Sequence, residues 1–300
     1  MELDKVLNDF KIYKVNVEGR SESSVNLYLS HIKEFCKDMN IANYEEFINV
    51  KAQIIKDWLV SQAQKGNEAT TRNNKLSAIK QIYSYLELEK EIDVDRRIDK
   101  IPNAKTSTKE VKYADKDIAN QLIKCTKNQR TKAAISIIEC TGVRFSELLQ
   151  ITRTDIERGY ATIVGKGNKE RTIWFNDDCI KICNKYINGK WKKIIDETKV
   201  DTDLLFISNN GKILTKQSFS TTLKTCSRRI GLYWADEMSP HKLRHGFITE
   251  KLNDGVPIQI VRDAVGHSNI STTNKYSHSK DDAVKQVMLN NYNFMERKEQ

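Results

Sequence analysis

Tyr160-Ala161-Thr162-Ile163-Val164-Gly165 and Arg171-Thr172-Ile173-Trp174-Phe175, joined by Lys166-Gly167-Asn168-Lys169-Glu170, are the most β-rich stretch of this 300-residue chain. β-Branched and aromatic residues on both sides of a short glycine-containing loop read as a β-hairpin, here with a basic tip. A third, shorter strand is expected at Leu204–Ile207, before the Asn209-Asn210-Gly211 turn. Nearly everything else repeats its apolar residues at helical spacing. The fold class that follows is mainly α with a small β-hairpin (α+β).

Toward the N-terminus, four helices are expected. The first covers 3–17 (Leu3, Val6, Leu7, Phe10, Tyr13) and ends at Gly19. The second opens at Ser21 and carries Val25, Tyr28, Leu29, Ile32 and Phe35. The third runs from about Val50 to Ala63 with Ile54, Trp58 and Leu59, and the fourth from about Ala69 to Leu88. Short connections between such helices make a bundle. Ser21, Ser23 and Ser24 can cap their own helix or hold a phosphate. Thr70, Thr71, Arg72, Asn74 and Lys75, at the start of the fourth helix, are either a solvated helix start or a set of DNA-binding side chains.

The periodicity lapses after Ile101, and residues 104–111 read as a basic interdomain linker. It divides the chain into an N-terminal domain, 1–103, and a larger C-terminal domain, 112–300. Helices are expected at about 114–126 and 129–140, the second broken by Thr141-Gly142, and another near Ser146, which leaves Arg144 in the turn between them. Beyond the hairpin come helices at about 177–195 and 215–230. Ser239-Pro240 supplies an N-cap and first-turn proline for the helix bearing His241, Arg244 and His245. Pro257–Val265 is closed by Gly266, and residues 281–295 form a last amphipathic helix.

Length alone favours two domains. No apolar run approaches the roughly 20 residues that span a bilayer, and the start Met1-Glu2-Leu3-Asp4-Lys5 lacks the order of a signal peptide, so a cytoplasmic protein with no membrane partner is expected. The six cysteines include no CxxC pair. Cys179 and Cys183 are spaced for packing on one helix face, and no metal site is expected. Charge is lopsided: residues 1–103 hold 16 Lys+Arg against 17 Asp+Glu, whereas 104–300 hold 34 against 23. A basic C-terminal domain favours a polyanionic partner.

Breaking a phosphodiester without a metal takes a nucleophile, cations to stabilise the five-coordinate phosphorus, and an acid for the leaving oxygen. Arg144 and Arg244 suit the electrostatic part, since guanidinium groups hold two oxygens at once. Lys166 suits the acid, with Lys169 as a rival. His241 and His267 suit proton handling, and Tyr276, nine positions after His267, suits attack on phosphorus.

Taken one by one these residues have ordinary explanations. Together, Thr141-Gly142-Val143-Arg144-Phe145-Ser146-Glu147-Leu148, Gly165-Lys166-Gly167-Asn168-Lys169-Glu170-Arg171, His241-Lys242-Leu243-Arg244-His245, Gly266-His267 and Tyr276 resemble the signature of the tyrosine recombinases, the phage-integrase and Xer group. The N-terminal bundle is similar to that family's SAM-like core-binding domain, so the resemblance covers nearly the whole chain. It implies that Arg144 and Arg244 clamp the scissile phosphate, that Lys166 protonates the 5′-oxygen, that His241 and His267 assist, and that Tyr276 forms a 3′-phosphotyrosine. Glu147 is expected to orient Arg144, and His245 to support its helix. Val265 stands where the family usually has Leu, an apolar exchange.

The resemblance further implies double-stranded DNA recombination sites as partner, no cofactor, and a homo-tetramer, or a hetero-tetramer with a paralogue, clamped on DNA. The 281–295 helix then packs in a neighbouring protomer or on its own domain. With no separate arm-binding domain visible before the bundle, a simple Xer-like or transposon type is expected over the large phage integrases. Two other readings share the scaffold. A type IB topoisomerase would relax supercoils without paired sites, and a DNA-binding regulator would tend to lack Arg144, Arg244 or Tyr276.

Overall fold

The computed structural model describes residues 2–106, 112–165 and 169–266. The chain divides into two compact units, Met1–Glu110 and Val111–Gln300, each with its own core.

The first unit holds α1 (Leu3–Ile12), which runs on through a π turn at Tyr13–Val17, then α2 (Glu22–Asp38), α3 (Tyr44–Ile48), α4 (Ala52–Gln64) and α5 (Ala69–Glu89). The four expected helices are therefore five. At five residues α3 is too short to show a periodic stripe, and its signal is a cap: Glu46 N–H donates to Asn43 Oδ1 at 2.9 Å, while Ala42 N–H donates to Glu46 Oε2 at 2.7 Å. In α4 the buried face is turned from the one expected, with Ile55 and Trp58 fully buried and Ile54 exposed. Trp58 meets Phe35 of α2 edge-on, ring centroids 5.0 Å apart, at the centre of the bundle. Ser21 caps α2 through its own hydroxyl, which accepts from Ser24 N–H at 3.4 Å. The segment expected to begin the linker is anchored: the Asn73 side chain donates to Ala104 O (3.0 Å) and accepts from its N–H (2.8 Å).

The second unit contains α6 (Lys116–Cys125), α7 (Gln129–Thr141), α8 (Phe145–Leu148), α9 (Arg153–Arg158), β1 (Tyr160–Val164), β2 (Glu170–Trp174), α10 (Asp177–Tyr186), α11 (Lys192–Thr198), α12 (Lys216–Arg229), α13 (Pro240–Asn253) and α14 (Ile258–Val265). Helix α7 is the hub. Its residues Ala133 to Thr141 are all buried, and α6, α10 and α13 pack around it, which is why it carries no polar stripe. The hairpin forms as read, antiparallel with Tyr160 opposite Trp174 and Val164 opposite Glu170, and Gly165 N–H to Lys169 O (2.9 Å) closes its loop.

Several sequence expectations are corrected. The helix expected at 177–195 is interrupted by a π turn at Ile187–Trp191, so α10 and α11 are separate. Leu204 and Ile207 make only isolated bridges, to Thr152 and Ile213, rather than a strand. Helix α9 was not anticipated; Thr152 and Asp155 form a capping box for only two turns, too few for a stripe. Ser239 occupies the N-cap position of α13, but its side chain makes no capping bond, and the first-turn proline starts the helix instead. The expected helix at 281–295 lies outside the described residues.

Candidate active site

Helix α7 ends at Gly142, whose left-handed conformation (φ 63°) turns the chain and brings Arg144 to the N-cap of α8. The Arg144 backbone N–H donates to Glu147 Oε2 at 2.7 Å, and its guanidinium donates to Glu147 Oε1 at 2.9 Å. On α13, His241 and Arg244 are three residues apart and so share a face. Arg244 is buried, donating to Gly142 O at 2.6 Å and to Val265 O at 2.7 Å, with its NH1 3.8 Å from Glu147 Oε2. These residues line a cleft of about 190 Å³ with Phe145, Ser146, Pro240 and Lys216, the first residue of α12.

A third guanidinium enters from the hairpin. Arg171 on β2 grips Glu147 with both terminal nitrogens, at 3.0 and 2.9 Å, and donates from Nε to Ala264 O at 3.0 Å. The end of α14 is thus held at successive carbonyls: Ala264 by Arg171, Val265 by Arg244, and Gly266 by Arg144 at 2.9 Å. Cations belong there, because the last carbonyls of a helix carry its partial negative charge. Gly266 is left-handed (φ 63°), and a Cβ on it would stand 2.7 Å from Arg171 NH1. Only glycine gives both the turn and the room.

One carboxylate faces three guanidinium groups. Burial pushes the Glu147 carboxyl up, but the hydrogen bonds from Arg171 and from the Arg144 backbone outweigh it and hold the pKa at about 2, so Glu147 is ionised. Burial, then the charge of Arg144, draws Arg244 down to about 9, which leaves it charged at neutral pH. His241 sits exposed at the cleft rim. Loss of water on its inner side, then Lys216, Arg244 and Arg144, depress its pKa below the ordinary value, so it is neutral at pH 7. The cleft is therefore a cationic pocket with a neutral imidazole at its edge, a fit for an anion carrying one charge and several acceptor oxygens.

Of the residues singled out from sequence, Arg144, His241 and Arg244 converge on this cleft. Lys166, His267 and Tyr276 lie outside the described residues, as does the rest of the chain after Gly266. Lys166 follows directly on Gly165, and His267 on Gly266. Lys169 is exposed on the hairpin, and His245 is exposed on α13. Cys179 and Cys183 are free thiols packed in the core.

In the first unit, Thr70 and Asn74 are exposed on the first turns of α5, while Thr71 and Arg72 are half-buried. Lys75 departs from the expectation of a DNA contact. It is 4% exposed, donates to Glu34 Oε1 and Gln62 Oε1 at 2.6 Å each, and stands 5.6 Å from the Trp58 ring centroid. Its ammonium is occupied inside the bundle, because α5 turns that position inward. Sequence reasoning gave no role to Arg171 or Lys216. Arg171 had a signal, an arginine on a short strand among residues that otherwise pack, whereas nothing local marks Lys216.

The two units correspond to two family models. Residues 112–283 match that of the phage integrase family, and residues 7–90 match the N-terminal SAM-like domain of phage integrases. The chain is 27% identical over 292 residues to tyrosine recombinase XerD of Staphylococcus haemolyticus, covering 95% of this chain and 97% of that protein. It is 29% identical over 282 residues to XerD of Vibrio vulnificus, covering 90% and 89%. Among solved structures, it resembles the Tn1549 transposon integrase in complex with transposon right end DNA (TM-score 0.66, 18% identity, 90% of this chain and 92% of that one). It also resembles the XerH site-specific recombinase bound to its difH substrate (TM-score 0.61, 21% identity, 83% and 75%), and both likenesses speak to the fold. The chain belongs to the phage integrase family, the tyrosine recombinases.

Proposed function

We propose that this protein is a site-specific recombinase that cuts and rejoins duplex DNA by transesterification. The observation that carries the reading is the convergence of Arg144 and Arg244, from the α7–α8 turn and from α13, on one cleft with His241 at its rim. In this reading the two guanidinium groups hold the non-bridging oxygens of the scissile phosphate and stabilise the charge that builds on them in the five-coordinate transition state. The Tyr276 oxygen attacks phosphorus, its proton passing to a neighbouring base. The P–O5′ bond breaks, and Lys166 gives the 5′-oxygen its proton. The resulting 3′-phosphotyrosine conserves the energy of the broken bond, so the reverse attack by a 5′-hydroxyl reseals the strand without ATP.

His241, neutral at pH 7, and His267 donate to a non-bridging oxygen or pass the proton along. Thr70, Thr71, Arg72 and Asn74 are proposed to meet DNA from the first unit. Pairing of sites calls for four protomers, either copies of this chain or of this chain with a paralogue. No helix among the described residues is long and apolar enough to cross a membrane. A cytoplasmic location, with its access to DNA, belongs to the same proposal.

Duplexes recovered by this chain from a random-sequence pool, then nicked so that the cleaved end diffuses away, test the reading. The native chain is expected to accumulate a covalent protein–DNA adduct, and Tyr276→Phe is expected to bind the same duplex and form none. An adduct that survives the substitution would exclude Tyr276 as nucleophile.

A further inference from the structure

Arg171 does not line the cleft, although its guanidinium uses both terminal nitrogens and Nε on groups around it. Its side chain is 13% exposed, and three of its five N–H bonds are given to protein: two to the oxygens of Glu147 and one to Ala264 O. It is also flanked by two glycines. A Cβ on Gly165 would lie 3.4 Å from Arg171 NH1, and one on Gly266 would lie 2.7 Å from the same atom. The guanidinium plane therefore fills the gap between the end of β1 and the end of α14. The residue bonded directly to Gly165 is Lys166, and the residue bonded directly to Gly266 is His267. Through Glu147 the same group is tied to Arg144 and Arg244.

We propose that Arg171 is a positioning residue for strand cleavage, fixing the hairpin, the end of α14 and the two cleft arginines in one register. This rests on the recombinase reading above. The physical reason for arginine is geometric: its planar fork offers one terminal nitrogen to each carboxylate oxygen of Glu147 while Nε offers a separate N–H to Ala264 O. Lysine carries the same charge with its three donors on one atom and cannot reach the two Glu147 oxygens and Ala264 O from three separate nitrogens. Displacement of reacting groups by about 1 Å is enough to slow a reaction by about 100-fold.

The test compares the native chain, Arg171→Lys, and the double variant Arg171→Gln/Glu147→Gln, which removes both charges and so leaves no orphaned buried carboxylate. On the nicked selected duplex at saturating protein, both variants are expected to form the covalent adduct about 100-fold more slowly. Affinity for the intact duplex should stay within about threefold in both, and the melting temperature of Arg171→Lys, which keeps Glu147, within a few degrees, a split that a merely structural role would not produce. Hydrogen exchange in the peptide spanning Ala264–Gly266 is expected to speed up in Arg171→Lys, and this arm needs no DNA. Native cleavage rates in both variants, a rate loss in Arg171→Lys matched by an equal loss of binding or stability, or unchanged exchange at Ala264–Gly266 each overturn the role of Arg171. Failure of the native chain itself to form an adduct counts against the recombinase reading, and the exchange arm still decides whether Arg171 sets the end of α14.

Discussion

Arg144 NH2 donates to the carbonyl oxygen of Gly266 at 2.9 Å, so the guanidinium proposed to hold the phosphate also holds the peptide bonded to His267. A bound phosphate oxygen and the Gly266 carbonyl are both acceptors for this group, and a planar fork can serve two acceptors where an ammonium serves them less exactingly. Arg144→Lys retains the charge and loses the fork. The expected outcome is adduct formation slowed by about 100-fold or more with duplex affinity changed by less than about tenfold, because removing one oriented donor acts chiefly on the transition state. Single-turnover cleavage beside a gel-shift titration makes the comparison; equal losses in both would show a contact made already in the ground state.

Glu147 links stability to pH. Its folded pKa, about 2, lies below the ordinary 4.5, so its contribution is fully present above about pH 4.5 and is lost as pH falls toward 2. The shift corresponds to about 3 kcal/mol. Glu147→Gln should therefore lower the urea midpoint clearly at pH 7, and the native and variant midpoints should converge as the pH is brought down from 4.5. A gap that stayed constant with pH would mean that the carboxylate charge is not what holds the three arginines.

How much of this was readable from the sequence follows from the range of the forces involved. The hairpin was legible because alternation over five residues and a glycine-bearing loop are local, and the helices with long stripes were legible for the same reason. Helices α3 and α9 were missed because they are shorter than the period that would reveal them, leaving only caps as signals. The rotation of α4 that buries Ile55 and exposes Ile54 is decided by Phe35 and Trp58 meeting across the bundle, which no window on α4 contains. Arg144, Arg244 and His241 stood out by motif. Arg171 closed one of the motifs without a role and Lys216 stood in none, since their meaning comes from contacts across 24 residues to Glu147 in one case and from a shared cleft in the other.

Lys75 and Asn74, adjacent on α5, are predicted to separate stability from binding. Lys75→Met removes the donor that satisfies Glu34 and Gln62 within the bundle and should destabilise the protein by about 2 kcal/mol. Asn74→Ala changes an exposed side chain, so the melting temperature should hold while duplex affinity falls. Thermal melts and duplex titrations on both variants make the check. A variant of Lys75 that melts like the native chain yet binds DNA poorly would return that lysine to the DNA-contacting set.

Gly246, in the middle of α13, provides the most severe steric prediction. A Cβ there would lie 1.7 Å from Ala114 O and 2.7 Å from Ala114 C, which are backbone atoms and cannot rotate away. Ala114 is itself fixed to the same helix by its N–H, which donates to Lys242 O at 3.0 Å, so relieving the clash means pulling that segment off α13. The helix that would have to shift also carries His241 and Arg244. Alanine is the better helix former by about 1 kcal/mol, which would make Gly246→Ala stabilising if propensity decided. Overpacking against backbone should outweigh it, with a net loss of about 3 kcal/mol and a matching fall in adduct formation. Urea titration of Gly246→Ala decides between the two, since an unchanged or raised midpoint would mean that Ala114 yields at little cost.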